Sequence, residues 1–228
     1  TRTFCLHRNR RIASGDSDVF RAAPAVCIIN TVRCLALYFE TALRCFKKVA
    51  ECAAFLLVEA AAAGIQLTYA PMVDISYDPR WGRIMETSGE DAYLCGELAA
   101  ARVRGFQGDD LTSPHTIAAC VKHFAGYGAV MAGRDYQETD VSLRKLQEVY
   151  LPPFQAAINA GVASVMCAYT SYDGEPLTMN YFMNEEVLRK QMQFKGLLMT
   201  DWTTFQHAVT EGAADNGQEA AERGIKSG

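Results

Sequence analysis

The 228-residue sequence holds eight cysteines but no Cys-x-x-Cys pair, and five of the eight fall in its first 52 residues (Cys5, Cys27, Cys34, Cys45 and Cys52). Without that spacing neither a zinc ribbon nor a thioredoxin-like redox motif is supported, and the thiols read as buried free side chains. Gly-x-Gly-x-x-Gly is also missing. The nearest stretch, "GYGAVMAG" over 126–133, has another spacing, which argues against a dinucleotide site. There are only four histidines, and none stands at metal-ligand spacing from a carboxylate, so no metal is expected. Lys and Arg do not cluster among aromatics and the net charge is -4, so nucleic acid is not an expected partner. A membrane span needs about 18 uninterrupted apolar residues. The best run, Ala22 to Phe39, is broken by Pro24, Asn30 and Arg33, so no membrane partner is expected. Arg2, Arg8, Arg10 and Arg11 precede it as in a signal peptide, but Asp16 and Asp18 intervene and no cleavage site follows.

What is present is an ordinary globular balance, 50% hydrophobic and 21% charged, in a chain long enough for one sizeable core. From residue 45 onward apolar runs alternate with helical patterns. "CFKKVAECAAFLLVEAAAAG" (45–64) predicts a helix closed by Gly64. "IQLTYAPMVD" (65–74) predicts a strand, "AYLCGELAAARVRGF" (92–106) a helix, and "TIAACVKHF" (116–124) a strand. A helix from about Ser142 to Gly161 is interrupted at Pro152-Pro153. "VASVMCAY" (162–169) predicts a strand, "NEEVLRKQMQF" (184–194) a helix capped by Asn184, and "GLLMTDW" (196–202) a last strand before one more helical stretch. Strand and helix in alternation imply an α/β fold with a parallel sheet and crossover helices. Near-continuous apolar strands imply a sheet buried on both faces. An open doubly wound sheet and a (β/α) barrel both fit. Residues 1–44 show no clean period and stand outside this alternation.

Each apolar run ends in reactive side chains: Asp74, then Lys122-His123, then Tyr169, then Asp201-Trp202, with Arg80 and Arg83 in the loop after the first. These are the C-terminal ends of parallel strands, where barrel active sites gather. Arg83, Lys122 and His123 can donate to hydroxyls and Tyr169 can donate or accept. Trp202 offers a flat apolar face for a sugar ring. An ionised Asp among such groups suits attack on an anomeric carbon. Plainer readings stand beside these. Asp201 alone could equally be a helix cap. Asp78 and Arg80 could pair across their loop, and Glu86, Glu90 and Asp91 could cap and charge the next helix. Lys122 could form a Schiff base, as in barrel aldolases. His115 and His207 read as ordinary surface or core histidines.

"APMVDISYDPRWGRIMETSGED", "CVKHFAGYGAVMAGRDY" and "GLLMTDW", in that order, resemble the first domain of glycoside hydrolase family 3, and within it the bacterial β-glucosidases. The resemblance covers about residues 45–228. It implies a (β/α)8 TIM-type barrel, present here in part, that removes terminal β-linked sugars with retention and needs no cofactor. It implies that Asp201 is the nucleophile and that Arg83, Lys122 and His123 contact the sugar. Tyr169 lies near the nucleophile in this reading, with Trp202 beside it, and no role passes to Asp74. The partners it implies are β-linked glucosides or oligosaccharides, with glucose and xylose both compatible. The compartment it implies is periplasmic or secreted.

Three departures accompany the resemblance. The family's upstream sugar-binding Asp has no match in residues 1–44, which hold only "GDSD"; the expected cause is a disrupted or re-spliced gene start, excluded if the flanking DNA carries no family-like segment in any frame. The acid/base Glu is expected from beyond "GIKSG". And Gly126-Tyr127-Gly128 stands where the N-acetylhexosaminidase branch has Gly-His-Gly, which disfavours that branch. A chain with the nucleophile but no acid is expected to act poorly on cellobiose yet react with activated aryl glycosides, since acid catalysis typically contributes about 10²- to 10⁴-fold. Unclosed barrel edges are expected to promote self-association. A non-catalytic sugar-binding or degenerate fragment is the alternative, and an aldolase using Lys122 a third reading that borohydride trapping separates.

Overall fold

A computed structural model of the chain describes residues 44–228. The expectations for residues 1–43, including the broken apolar run and Cys5, Cys27 and Cys34, lie outside the described residues. Helix α1 spans 44–62. It stops at Gly64, whose φ of +86° lets the Ile65 N–H reach back to the Ala60 carbonyl at 3.0 Å, a left-handed stop that glycine adopts without penalty. Its buried contact is narrow, at Ala53 and Leu57, whereas Phe55, Leu56 and Val58 are exposed.

Helix α2 (Ala92–Gln107) begins where expected, because the Asp91 carboxylate accepts from the Leu94 N–H at 2.6 Å. Cys95, Ala99 and Val103 recur at a four-residue spacing and form its buried face. Helix α3 (Leu143–Lys145) starts at Ser142, whose hydroxyl accepts from the Lys145 N–H at 3.2 Å. It runs into a wide π-type turn (Leu146–Tyr150), and helix α4 (Pro152–Asn159) restarts with both prolines in its first turn, where a missing N–H costs nothing. Gly96 of α2 lets Pro153 and Ala156 of α4 approach closely; a Cβ there would lie 3.1 Å from Ala156 Cβ.

Strands β1 (Leu67–Thr68), β2 (Ala118–Phe124), β3 (Ser164–Cys167) and β6 (Leu197–Met199) form one parallel sheet in the order β1-β2-β3-β6. Between β3 and β6 the chain makes a small antiparallel hairpin, β4 (Ser171–Tyr172) with β5 (Glu175–Pro176). Sequential strands are neighbours and the order never reverses. That is the progression of a barrel wall and not of a doubly wound sheet, which reverses at its switch point. The fold is therefore the α/β, TIM-type class that the family resemblance implies, one of the two architectures that the alternation leaves open. Gln107 staples the N-terminal ends: its Oε1 accepts from the Ala119 and Ala163 N–H groups at 3.1 and 2.9 Å, and its Nε2 donates to the Gly161 carbonyl at 2.7 Å.

The core lies between the sheet and helices α2 and α4, around Val121, Phe124, Phe154 and Val165. Burial on both faces holds for β3 and most of β2, but not for β6, whose Leu197 is exposed. Among the described residues β6 has a strand neighbour on one side only. Of the described cysteines, Cys95, Cys120 and Cys167 are buried as expected, while Cys45 and Cys52 are exposed.

Two helix expectations need correction. The helix after β5 is Phe182–Gln191, π-type, and begins two residues before Asn184. Asn180 caps it by accepting from the Met183 N–H at 2.9 Å, and buried Asn184 instead donates to the Leu177 carbonyl at 3.0 Å. The last helical stretch is two helices, α5 (Thr204–Thr210) and α6 (Gly217–Lys226), because Asn216 caps α6 on the Gln218 and Glu219 N–H groups, both at 3.0 Å.

Candidate active site

The C-terminal ends of the strands converge on one imidazole. After Met72, which bridges to Lys122 of β2, the chain reaches Asp74. The β2–β3 ladder slips between Lys122 and Phe124, and His123 sits at the slip. Asp74 Oδ2 accepts from the His123 backbone N–H at 3.1 Å and lies 2.7 Å from His123 Nδ1. Both side chains are sealed from water, 0% and 1% exposed. The other ring nitrogen, Nε2, lies 3.2 Å from Arg83 Nη1 and 3.6 Å from Asp201 Oδ2.

Asp201 stands two residues past the end of β6, with its side chain 19% exposed. Its Oδ1 accepts from the Trp202 N–H at 2.9 Å. The helix-cap alternative fails here: α5 starts at Thr204, its cap residue is Thr203, and no side chain caps it. Asp201 thus keeps Oδ2 directed at the imidazole.

Arg83 grips Glu86 through two bonds, Nε to Oε1 at 2.7 Å and Nη2 to Oε2 at 2.9 Å. That bidentate bond holds the Glu86 carboxyl below the usual carboxylate range, with further lowering from the charge of Lys122. Glu86 is therefore a partner of the site and not a charge on the helix N-terminus. Asp91 does cap α2, and Arg80 does pair with Asp78, at 2.6 Å.

Tyr127 walls the imidazole, ring against ring at 5.0 Å, with the Arg83 guanidinium 5.7 Å above its own ring. Its hydroxyl donates to Asp135 Oδ1, which also accepts from Trp81 Nε1 at 3.1 Å. Burial, reinforced by that bond to Asp135, pushes the Tyr127 hydroxyl well above the usual phenol range, so it remains a donor. Tyr169 packs edge-on against Tyr136 at 4.8 Å and against His207 at 5.7 Å, and its hydroxyl donates to the Trp202 carbonyl. Burial raises its hydroxyl too, and the charge of Asp201 adds to the shift.

Of the residues singled out in the sequence, Asp201, His123 and Arg83 meet directly and Tyr169 borders them. Lys122 lies close enough for its charge to act on Glu86. Trp202 is 79% exposed, and its backbone takes part in the site: its N–H donates to Asp201 Oδ1 and its carbonyl accepts from the Tyr169 hydroxyl. The sequence reading missed Asp74's bond to His123, the Asp135 clamp, and the packing of His207 edge-on against Tyr169, 5.7 Å between rings. Asp74 had a signal, since it ends an apolar run as Asp201 does. Asp135 and His207 had none, because their partners are tertiary.

The chain matches the model of the glycosyl hydrolase family 3 N-terminal domain over residues 33–228. It belongs to glycosyl hydrolase family 3. It is 38% identical over 170 residues to a periplasmic β-glucosidase of Salmonella typhimurium, a match covering 75% of this chain and 22% of that relative. It is 37% identical over 175 residues to a β-xylosidase of Formosa agariphila, covering 75% of this chain and 24% of the relative. Among solved structures, the β-glucosidase of Listeria innocua in complex with glucose superposes with a TM-score of 0.77 at 43% identity, over 80% of this chain and 26% of that one. The chain spans about a quarter of the length of these family 3 relatives.

Proposed function

We propose that this chain carries the sugar-holding half of a β-glucosidase site, with Asp201 as the nucleophile of a retaining hydrolysis. The observation that carries the reading is the position of Asp201: past the end of a parallel strand, partly open to solvent, with Oδ2 facing His123 Nε2 at 3.6 Å. A carboxylate there attacks the anomeric carbon of a β-glucoside as the bond to the leaving oxygen breaks. Arg83, Lys122 and His123 hold the sugar hydroxyls, Tyr169 borders the nucleophile, and exposed Trp202 offers its ring to the sugar's apolar face. Asp74 and Glu86 are engaged by His123 and Arg83, and the family resemblance implies an acid/base Glu from outside the described residues. The substrate is a terminal β-D-glucosyl residue, and the compartment is the periplasm or exterior; the Salmonella relative is named as periplasmic.

The test is the full chain incubated with 2,4-dinitrophenyl 2-deoxy-2-fluoro-β-D-glucoside. The Asp201 carboxylate forms the bond to C1 and dinitrophenolate leaves with the electron pair, needing no proton. The expected result is a stoichiometric mass increase mapping to Asp201 and absent from Asp201→Asn. A soluble, folded chain that takes no label, or takes it elsewhere, refutes the reading.

A further inference from the structure

We propose that Asp74 is the positioning residue of this site: it holds His123 as the Nδ1–H tautomer, so that Nε2 faces Arg83 and Asp201 as a hydrogen-bond acceptor and not as a donor. This rests on the proposed glycosidase reading for its functional consequence, but not for its geometry. One oxygen, Asp74 Oδ2, takes both the backbone N–H and the ring Nδ1 of His123, at 3.1 and 2.7 Å. A backbone N–H can only donate, so that oxygen is placed as an acceptor, and the ring nitrogen nearest to it carries its proton toward it. The two bonds fix both the ring's tautomer and its rotation. The other carboxylate oxygen, Oδ1, is buried and without a partner, so all the hydrogen bonding of Asp74 goes to one residue.

The consequence appears at Nε2, which lies between a permanent donor, Arg83 Nη1, and a carboxylate, Asp201 Oδ2. With the proton on Nδ1, the Nε2 lone pair accepts from Arg83 or from a sugar hydroxyl, and neither Asp201 oxygen receives a hydrogen bond from the ring. With the proton on Nε2, the ring would oppose Arg83 donor to donor and donate into Asp201, weakening it as a nucleophile. The remaining groups around the ring do not compete for either nitrogen: Tyr127 meets it edge to face, and its hydroxyl is committed to Asp135. Asp74 thus decides which of two chemically opposite faces His123 turns to the reacting carboxylate, from a position that no sugar reaches.

The test joins two measurements on the full chain. Two-bond ¹H–¹⁵N spectra at pH 8 read the tautomer of His123, assigned by the signals lost in His123→Gln. The aryl 2-fluoroglucoside then gives the labelling rate at saturating probe. The expected wild-type signature is the neutral Nδ1–H ring. Asp74→Ala shifts it to Nε2–H and slows labelling about 10²-fold, the scale of a misplaced reacting group. Asp74→Asn, whose carbonyl can stand where Oδ2 stood, keeps the Nδ1–H signature and labels faster than Asp74→Ala. A merely structural role would lower stability in both variants without moving the tautomer. The proposal is overturned by a wild-type Nε2–H ring, by an unchanged tautomer and rate in Asp74→Ala, or, should that variant not fold, by an Nε2–H ring in Asp74→Asn. A wild-type chain that takes no label on Asp201 overturns the glycosidase reading instead, and the tautomer is still read directly.

Discussion

Met72 and Met199 each pair with a neighbouring parallel strand, with Lys122 and Met166 respectively, and each is followed two residues later by an aspartate. The two turns are alike in the sequence and opposite in the structure. Asp74 is followed by Ile75 and Ser76, both buried, and Gly128 lies so close over them that a Cβ there would fall 2.1 Å from the Ile75 carbonyl. Asp201 is followed by an exposed Trp202 and by Thr203 in a left-handed conformation, φ +55°. One carboxylate is sealed behind the imidazole and the other is left in front of it. What an acid does at a strand end is decided by what the next loop lays over it.

The comparison breaks most sharply at Asp201. Asp201→Asn should slow labelling by the aryl glycoside on the order of 10⁴-fold or more, the scale of losing an attacking group. Its urea midpoint should barely move, because the side chain is partly open. A large drop in stability with labelling retained would reverse the roles assigned to the two aspartates.

Gly128→Ala tests the cover over the other turn. The added methyl has backbone on its near side and nothing flexible to displace, so unfolding free energy should fall by about 1–3 kcal/mol. Wild-type stability in denaturant titrations would mean that the loop is not held against Ile75.

Glu86→Gln gives a smaller effect that depends on pH. The carboxyl is lowered in the folded chain by its bond to Arg83. Its contribution is therefore fully present above the ordinary glutamate value of ~4.3 and disappears as pH falls through the lower folded value. The pair is partly exposed, so the difference between wild type and variant should stay within about 1 kcal/mol at pH 7. It should close toward zero in acid; a gap that widens in acid would contradict the pairing. Smallest of all, Trp202→Ala should change stability by no more than about 0.5 kcal/mol, as for an exposed side chain without a packing partner. A larger loss in thermal unfolding would show that the indole packs against the protein.

How far the sequence was legible follows from the range of the interactions. Helix α2 could be read from Ala92 to about Phe106, one residue short of its end, because its cap at Asp91 and its buried stripe are local. Strand β2 could be read because every residue between Ala119 and Val121 is apolar and buried. Asn184 misled because its sequence context suits a cap, while the helix starts earlier to bury Met183. The wide turns at Leu146–Tyr150 and Phe182–Gln191 leave no sequence period of their own. Within the site, Asp201, Arg83, Lys122, His123 and Tyr169 stood out as strand-end chemistry or through the family motifs. The bonds that orient them did not, because Asp74 meets His123 across 49 residues and Trp81 meets Asp135 across 54.

The distribution of cysteines makes the chain report on its own integrity. Burial pushes the thiol of Cys95 up to about 11 and that of Cys167 up to about 12, and raises Cys120 as well, whereas Cys45 and Cys52 lie exposed on α1. An alkylating reagent at mildly alkaline pH, attacked by the thiolate, should modify the α1 pair quickly and reach the inner three only when the fold opens around them: Cys95 against Val73, Cys120 against Met199 and Cys167 against Asn184. Peptide-resolved alkylation over time therefore measures how often this barrel wall opens, without a substrate or an introduced label.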